Sequence, residues 1–138
     1  MPATSESLPV AIVAESDEET RGLIRALLEL LGFAVVEASN GDDVYQSAVC
    51  YRPDLILMEL QLPVVGFSAV RRIRRESDLS RVPIIAMSTK TTSASQNLAL
   101  AAGCTAHLAK PIEFDRLESV VENLVPCERL TMVSLLIH

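Results

Sequence analysis

The sequence contains no tryptophan, and only two tyrosines and three phenylalanines among 138 residues, so no indole fluorescence reports on its state. It lacks an excess of basic residues: 12 Lys and Arg stand against 18 Asp and Glu, and the formal net charge of −6 argues against nucleic acid as a partner. Its three cysteines, Cys50, Cys104 and Cys127, are odd in number and have no metal-like spacing, which fits reduced thiols rather than a disulfide framework or a zinc site. No basic stretch followed by an apolar one opens the chain, and no apolar run reaches membrane-spanning length, so a cytoplasmic protein without a membrane partner is expected. Neither a glycine-rich phosphate loop nor a nucleophile elbow follows any apolar run, and there is no internal repeat.

What is present fits one domain with a full core: 49% of the residues are hydrophobic and 22% charged. Residues 1–8 read as a disordered polar lead, 9–125 as the domain, and 126–138 as an apolar tail expected to pack on the domain or on a second copy. At the centre stands Leu55-Ile56-Leu57-Met58-Glu59, a continuous apolar run ending in one carboxylate. Bounded by Arg52-Pro53-Asp54 and Pro63, it reads as a strand buried on both faces, as in parallel sheets.

Before it, Pro9 to Ala14 reads as a strand and Glu15-Ser16-Asp17-Glu18-Glu19 as an acidic loop. Ser16 and Glu19 then resemble a capping box, and Leu23, Ile24, Leu27, Leu28, Leu30 and Leu31 form a helical face ending at Gly32. Phe33 to Ala38 is a second strand, and Asn40 reads as the N-cap of a second helix through Val44, Ala48 and Tyr51. After the central strand, Gly66 to Arg75 is a helix with Phe67, Val70 and Ile73 inward and four arginines on a solvated face. Val82 to Ser88 is a fourth strand, and Leu98, Ala101 and Ala102 mark an Ala-rich helix stopped by Gly103. Ala106 to Ala109 is a short fifth strand running into Lys110-Pro111. Phe114, Leu117, Val120, Val121 and Leu124 mark the last helix.

Five strands alternating with five helices predict an α/β fold, a doubly wound five-stranded parallel sheet with right-handed crossovers. In such sheets ligands bind beyond the strand carboxyl ends, and Glu15, Ser16, Glu59, Ser88 and Lys110 all fall there. Asp17, at the helix entry, is expected to face outward or cap.

With those residues placed, the chain resembles the receiver domain of bacterial response regulators from about Val10 to Val125. The likeness rests on Ile12-Val13 before the acidic loop, on Arg52-Pro53-Asp54-Leu55-Ile56-Leu57-Met58, on Leu62-Pro63 and on Gly66-Phe67. It continues through Val82-Pro83-Ile84-Ile85-Ala86, Ala101-Ala102-Gly103 and Leu108-Ala109-Lys110-Pro111. The resemblance implies a flavodoxin-like receiver fold, two-component or phosphorelay signalling, and no enzyme activity of its own. It implies a phosphoacceptor carboxylate at Glu59, an acidic pocket at Glu15 and Ser16 that would hold Mg²⁺ with Glu59, and phosphate contacts at Ser88 and Lys110. It places His107 where an aromatic switch residue often sits, either as a switch or as a silent core histidine, and it implies a cis bond between Lys110 and Pro111. Partners would be a histidine kinase, a phosphotransfer protein or an output protein. They would meet the face of the fourth helix, fifth strand and fifth helix, which is also a candidate homodimer face, or the first helix.

The sequence also departs from the family pattern. Glu59 stands where the family has aspartate, and one more methylene moves the carboxylate by about 1.5 Å. Ser16 replaces one carboxylate of the acidic pair, Thr89 replaces a small residue, and the Val64-Val65-Gly66 turn is short and lacks its aspartate. These changes predict weakened Mg²⁺ binding through Glu15 and Glu59, and a Glu59 to Lys110 pair that needs no ligand. Three readings follow: a phosphorylation-independent pseudo-receiver acting by protein contact, a functional Mg²⁺-dependent phosphoacceptor, or an unrelated flavodoxin-like enzyme.

Overall fold

In the computed structural model, residues 8–61, 66–89 and 92–126 are described. Residues 1–7, 62–65, 90–91 and 127–138 lie outside the described residues, and with them most of the polar lead, of the short turn and of the tail with Cys127, so the expectations placed there stand as they were.

Five parallel strands, β1 (Val10–Ala14), β2 (Ala34–Ala38), β3 (Leu55–Glu59), β4 (Ile84–Ser88) and β5 (Ala106–Ala109), form one sheet in the order β2-β1-β3-β4-β5. Among the described residues they alternate with five helices, α1 (Glu18–Leu30), α2 (Gly41–Tyr51), α3 (Gly66–Arg75), α4 (Ser93–Ala102) and α5 (Phe114–Leu124), plus a 3₁₀ turn at Ser77–Leu79. This is the doubly wound α/β architecture that the alternation predicted.

All five residues of β3 are buried. Its side chains alternate between two cores, as the period of two in a strand requires. Leu55 and Leu57 join Ile24 and Leu28 of α1 and Leu117 and Val121 of α5, whereas Ile56 and Met58 join Val44 of α2, Val70 and Ile73 of α3 and Ala99 of α4. A strand apolar on both faces can sit only inside such a sandwich.

Helix ends follow the side-chain chemistry, with one correction. The N-cap of α1 is Asp17, not Ser16: its carboxylate accepts from Thr20 N at 2.9 Å and from the Thr20 hydroxyl at 2.6 Å. Ser16 is drawn elsewhere, as described below. Asn40 caps α2 as expected, accepting from Asp43 N at 2.9 Å, and Thr92 caps α4. Gly32 and Gly103 take left-handed φ values of 101° and 118° after α1 and at the end of α4. At Gly103 a Cβ would also stand 3.0 Å from Cγ of Arg74.

Inward assignments in three helices are corrected. Leu23 and Leu30 of α1 are exposed, because the sheet side of that helix is filled by Ile24, Leu27 and Leu28, with Leu31 just past its end. In α4 the buried positions are Ala99 and Ala102, while Leu98 is 59% exposed and the small Ala101 also faces out. Tyr51, at the end of α2, is exposed as well.

The four arginines of α3 do not share one solvated face. Arg71 and Arg75 are exposed, and Arg72 stacks on the Tyr45 ring at 3.9 Å. Arg74 instead turns into the gap between the α3–β4 and α4–β5 connections. There it donates to the carbonyls of Val82 at 2.6 Å, Gly103 at 2.9 Å, Leu79 at 3.2 Å and Ser80 at 3.3 Å, and to the Thr105 hydroxyl at 3.2 Å. One guanidinium satisfies loop carbonyls that no helix or strand partner reaches.

Candidate functional site

The strand order puts β1 and β3 side by side at the centre, with Ala14 opposite Met58, so Glu15 and Glu59 emerge together at the carboxyl edge. On the other side of β3, Ser88 ends β4 opposite Ala109 of β5, and Lys110 N donates to the Ser88 carbonyl at 2.8 Å. That bond fixes the Lys110 backbone, and its side chain crosses the end of β4 toward the two carboxylates. The peptide bond between Lys110 and Pro111 is cis.

The Lys110 ammonium lies between both acids, 2.9 Å from Glu59 Oε2 and 2.5 Å from Glu15 Oε1. The other oxygen of Glu59 accepts from the Ser16 hydroxyl at 2.7 Å and from Ser16 N at 3.2 Å. The other oxygen of Glu15 accepts from Asp17 N at 3.0 Å. Every oxygen of the two carboxylates therefore already has a donor or a cation on the protein. The one Glu59 side chain thus touches Ser16 beyond β1 and Lys110 beyond β5.

Burial alone would raise the Glu59 carboxyl. The bonds from Lys110 and Ser16, and its contact with Glu15, outweigh burial and hold it at about 2. Glu15 has no exposed surface, and there burial wins: its carboxyl is pushed above the ordinary value despite Lys110. Lys110 is raised, because the bonds to Glu15 and Glu59 more than offset its own desolvation. One ammonium thus serves two acids of unequal strength, with Glu59 the firmly ionised one.

Of the residues nominated from sequence, Glu15, Ser16, Glu59 and Lys110 form one bonded cluster, and Ser88 is buried beside it. His107 is not part of the cluster. It sits half-buried on β5 opposite Ala86, its Nε2 is enclosed without a hydrogen-bond partner among the described residues, and burial lowers its pKa. A residue the sequence pattern did not single out also supports the site. Arg21 of α1 donates to the Glu15 carbonyl at 2.8 Å while paired with Glu37 at 2.7 Å, holding the loop that carries Glu15. Only the fold brings Arg21, six residues downstream on a helix, back over that carbonyl.

Against known proteins, the profile of the response regulator receiver domain matches residues 11–122. A polar-differentiation response regulator, DivK, of Brucella anthropi is 29% identical over 113 residues, covering 81% of this chain and 92% of its own. Among solved structures, the receiver domain of a sensor histidine kinase from Pseudomonas aeruginosa, with a magnesium ion coordinated in its active-site cleft, superposes with a TM-score of 0.80 at 32% identity. That match covers 86% of this chain and 98% of the other. A chemotaxis protein of Vibrio cholerae, CheY4, has the same fold, with a TM-score of 0.81 at 23% identity over 86% of this chain and 100% of its own.

Magnesium, which the fold family implies, does not fit the donor set here. Mg²⁺ requires oxygen ligands near 2.0–2.1 Å in octahedral array, supplied by one or two carboxylates and waters. Here Glu15 and Glu59 hold an ammonium between them, and Ser16 offers a hydroxyl already committed as a donor to Glu59. No group of three or more His, Cys, Asp or Glu able to hold a metal occurs among the described residues, and no helix there is long and apolar enough to cross a membrane.

Proposed function

The chain belongs to the response regulator receiver domain family, and from that premise we propose that it is a pseudo-receiver, a two-component signalling domain that works by protein contact without accepting a phosphoryl group. One observation carries the reading: both oxygens of Glu59 are already engaged, one by Lys110 and one by Ser16. Phosphoryl transfer to a carboxylate brings two negative groups together, and only a cation placed to neutralise them makes that approach feasible. In this site the lysine charge is taken up by the acids themselves.

Glu59 is a fixed charge where the family carries a transient one. It supplies a single negative charge, against the roughly −1.5 to −2 that a phosphoryl group adds, so the site mimics the modified state in part. The buried Ser88 and the direct Glu59 to Lys110 contact accord with a domain biased toward one conformation. Partner proteins such as a kinase, a phosphotransfer protein or an output protein would meet the face of α4, β5 and α5. Leu98 and Leu100 of α4 are exposed, and His107 of β5 is half-buried. The same face is the candidate for a homodimer. A cytoplasmic location accords with these partners. Family membership favours a signalling domain over an unrelated flavodoxin-like enzyme.

A second reading, a working Mg²⁺-dependent phosphoacceptor, draws support from Ser88 at the end of β4 and Lys110 just past β5, the two residues to which the family resemblance assigns phosphate contacts. Incubation with a small phosphodonor and Mg²⁺, followed by intact mass measurement, separates the two. An unchanged mass agrees with the pseudo-receiver. A stoichiometric acid-labile adduct establishes the second reading instead.

A further inference from the structure

We propose that the Lys110 ammonium is the resident cation of the acidic pocket, doing for Glu15 and Glu59 what a divalent ion does in a metal-loaded site, and that its presence keeps Mg²⁺ out. The proposal deepens the reading above and rests on it in one respect, that Glu59 is a permanent charge needing a permanent partner.

Three features carry it. The ammonium contacts one oxygen of each carboxylate, at 2.5 and 2.9 Å, so it bridges the pair as a metal would rather than flanking one acid. The remaining oxygens are closed by Asp17 N and by the hydroxyl and amide of Ser16, which leaves none facing solvent alone. The lysine itself is held in place, with its side chain only 14% exposed and its backbone tied to Ser88.

The net charge of the pocket points the same way. Two carboxylates and one ammonium leave a single net negative charge, and an incoming Mg²⁺ must either displace the ammonium or sit against it. A strongly hydrated ion gains little from such a pocket. With the ammonium removed, two carboxylates without a counter-cation remain, each with one oxygen freed, which is the ligand set Mg²⁺ commonly uses together with its own waters. The substitution that removes a cation should therefore create a cation site.

The test is an NMR titration of wild type and Lys110→Met with MgCl₂, with Mn²⁺ line broadening to locate the ion. Wild type is expected to show no saturable shift at Glu15 and Glu59 across the millimolar range. Lys110→Met is expected to bind about tenfold tighter or more, because a positive charge a few ångströms from the incoming ion is removed. Saturable wild-type binding as tight as the variant's, or a folded variant that binds no tighter than wild type, overturns the proposal. Should Lys110→Met fail to fold, the ¹⁵Nζ resonance of Lys110 in wild type serves in its place. A resonance unmoved by Mg²⁺ supports the resident cation, and one that shifts saturably refutes it. The two readings fail separately. A phosphoryl adduct on the wild-type chain removes the pseudo-receiver but leaves the titration to judge Lys110, whereas a folded variant indifferent to Mg²⁺ removes the resident cation and leaves phosphorylation independence standing.

Discussion

Lys110 Nζ stands 2.9 Å from Glu59 Oε2 while the same nitrogen contacts Glu15, so a lysine from the fifth strand's end ties together the ends of the first and third. Neutralisation of the site is built into the chain, and several measurable consequences follow from it.

Replacing Lys110 by Met leaves Glu15, which has no exposed surface, facing Glu59 without a counter-charge. Removing one partner of a buried pair costs about 3–5 kcal/mol at neutral pH. Glu15 is already raised above 4.5 in the folded chain, so its protonated form favours folding below that value and this contribution is lost as pH rises through the folded value. The deficit of Lys110→Met should therefore shrink as pH falls from 7 toward 5, read from urea midpoints by far-UV circular dichroism.

Glu59 has the opposite sign. Its folded value of about 2 lies below the ordinary 4.5, so its stabilisation is present above 4.5 and lost as pH falls through about 2. Glu59→Gln should cost on the order of 2–3 kcal/mol at pH 7. The gap from wild type should hold steady down to pH 4.5 and close below it.

Arg74 and Arg71 belong to one helix but should respond differently. Arg74→Met removes the donor shared by four loop carbonyls and the Thr105 hydroxyl, for a loss of about 2–4 kcal/mol. Arg71→Met, at an exposed position, should stay within about 0.5 kcal/mol. Chemical denaturation of both variants checks the contrast.

That contrast also marks where sequence reasoning runs out. The strands were legible because a parallel sheet covered on both faces needs uninterrupted apolar runs, and Leu55 to Met58 is such a run. The Glu59 to Lys110 pair was legible because strand ends converge whatever lies between them. Arg74 was not: its spacing within α3 is that of a surface arginine, and only the meeting of two distant loops gives it carbonyls to bind. Ser16 was nominated twice, as pocket member and as helix cap, and it can do only one. Asp17, one residue on, has the stronger acceptor for the Thr20 amide and takes the cap, which frees the Ser16 hydroxyl for Glu59. The outward leucines of α1 and α4 misled for a related reason, since apolar spacing does not distinguish a core face from a partner face.

His107 makes a prediction of its own. Its buried Nε2 lacks a hydrogen-bond partner among the described residues, and burial depresses its pKa below 6.5. The neutral ring is the one the fold accepts, so stability present above 6.5 should decline as pH falls through the depressed value. His107→Phe removes both the unsatisfied nitrogen and that titration. The variant should match or exceed wild type at pH 7, by up to about 1 kcal/mol, and its advantage should widen toward pH 5, read as thermal midpoints.

The most direct test of the closed site is chemical. Wild type and Glu59→Gln are incubated with a small phosphodonor and Mg²⁺, and the intact masses are followed by peptide mapping. The pseudo-receiver predicts that neither protein gains a stoichiometric phosphoryl group. An acid-labile adduct on wild type that maps to Glu59 and vanishes in Glu59→Gln contradicts it.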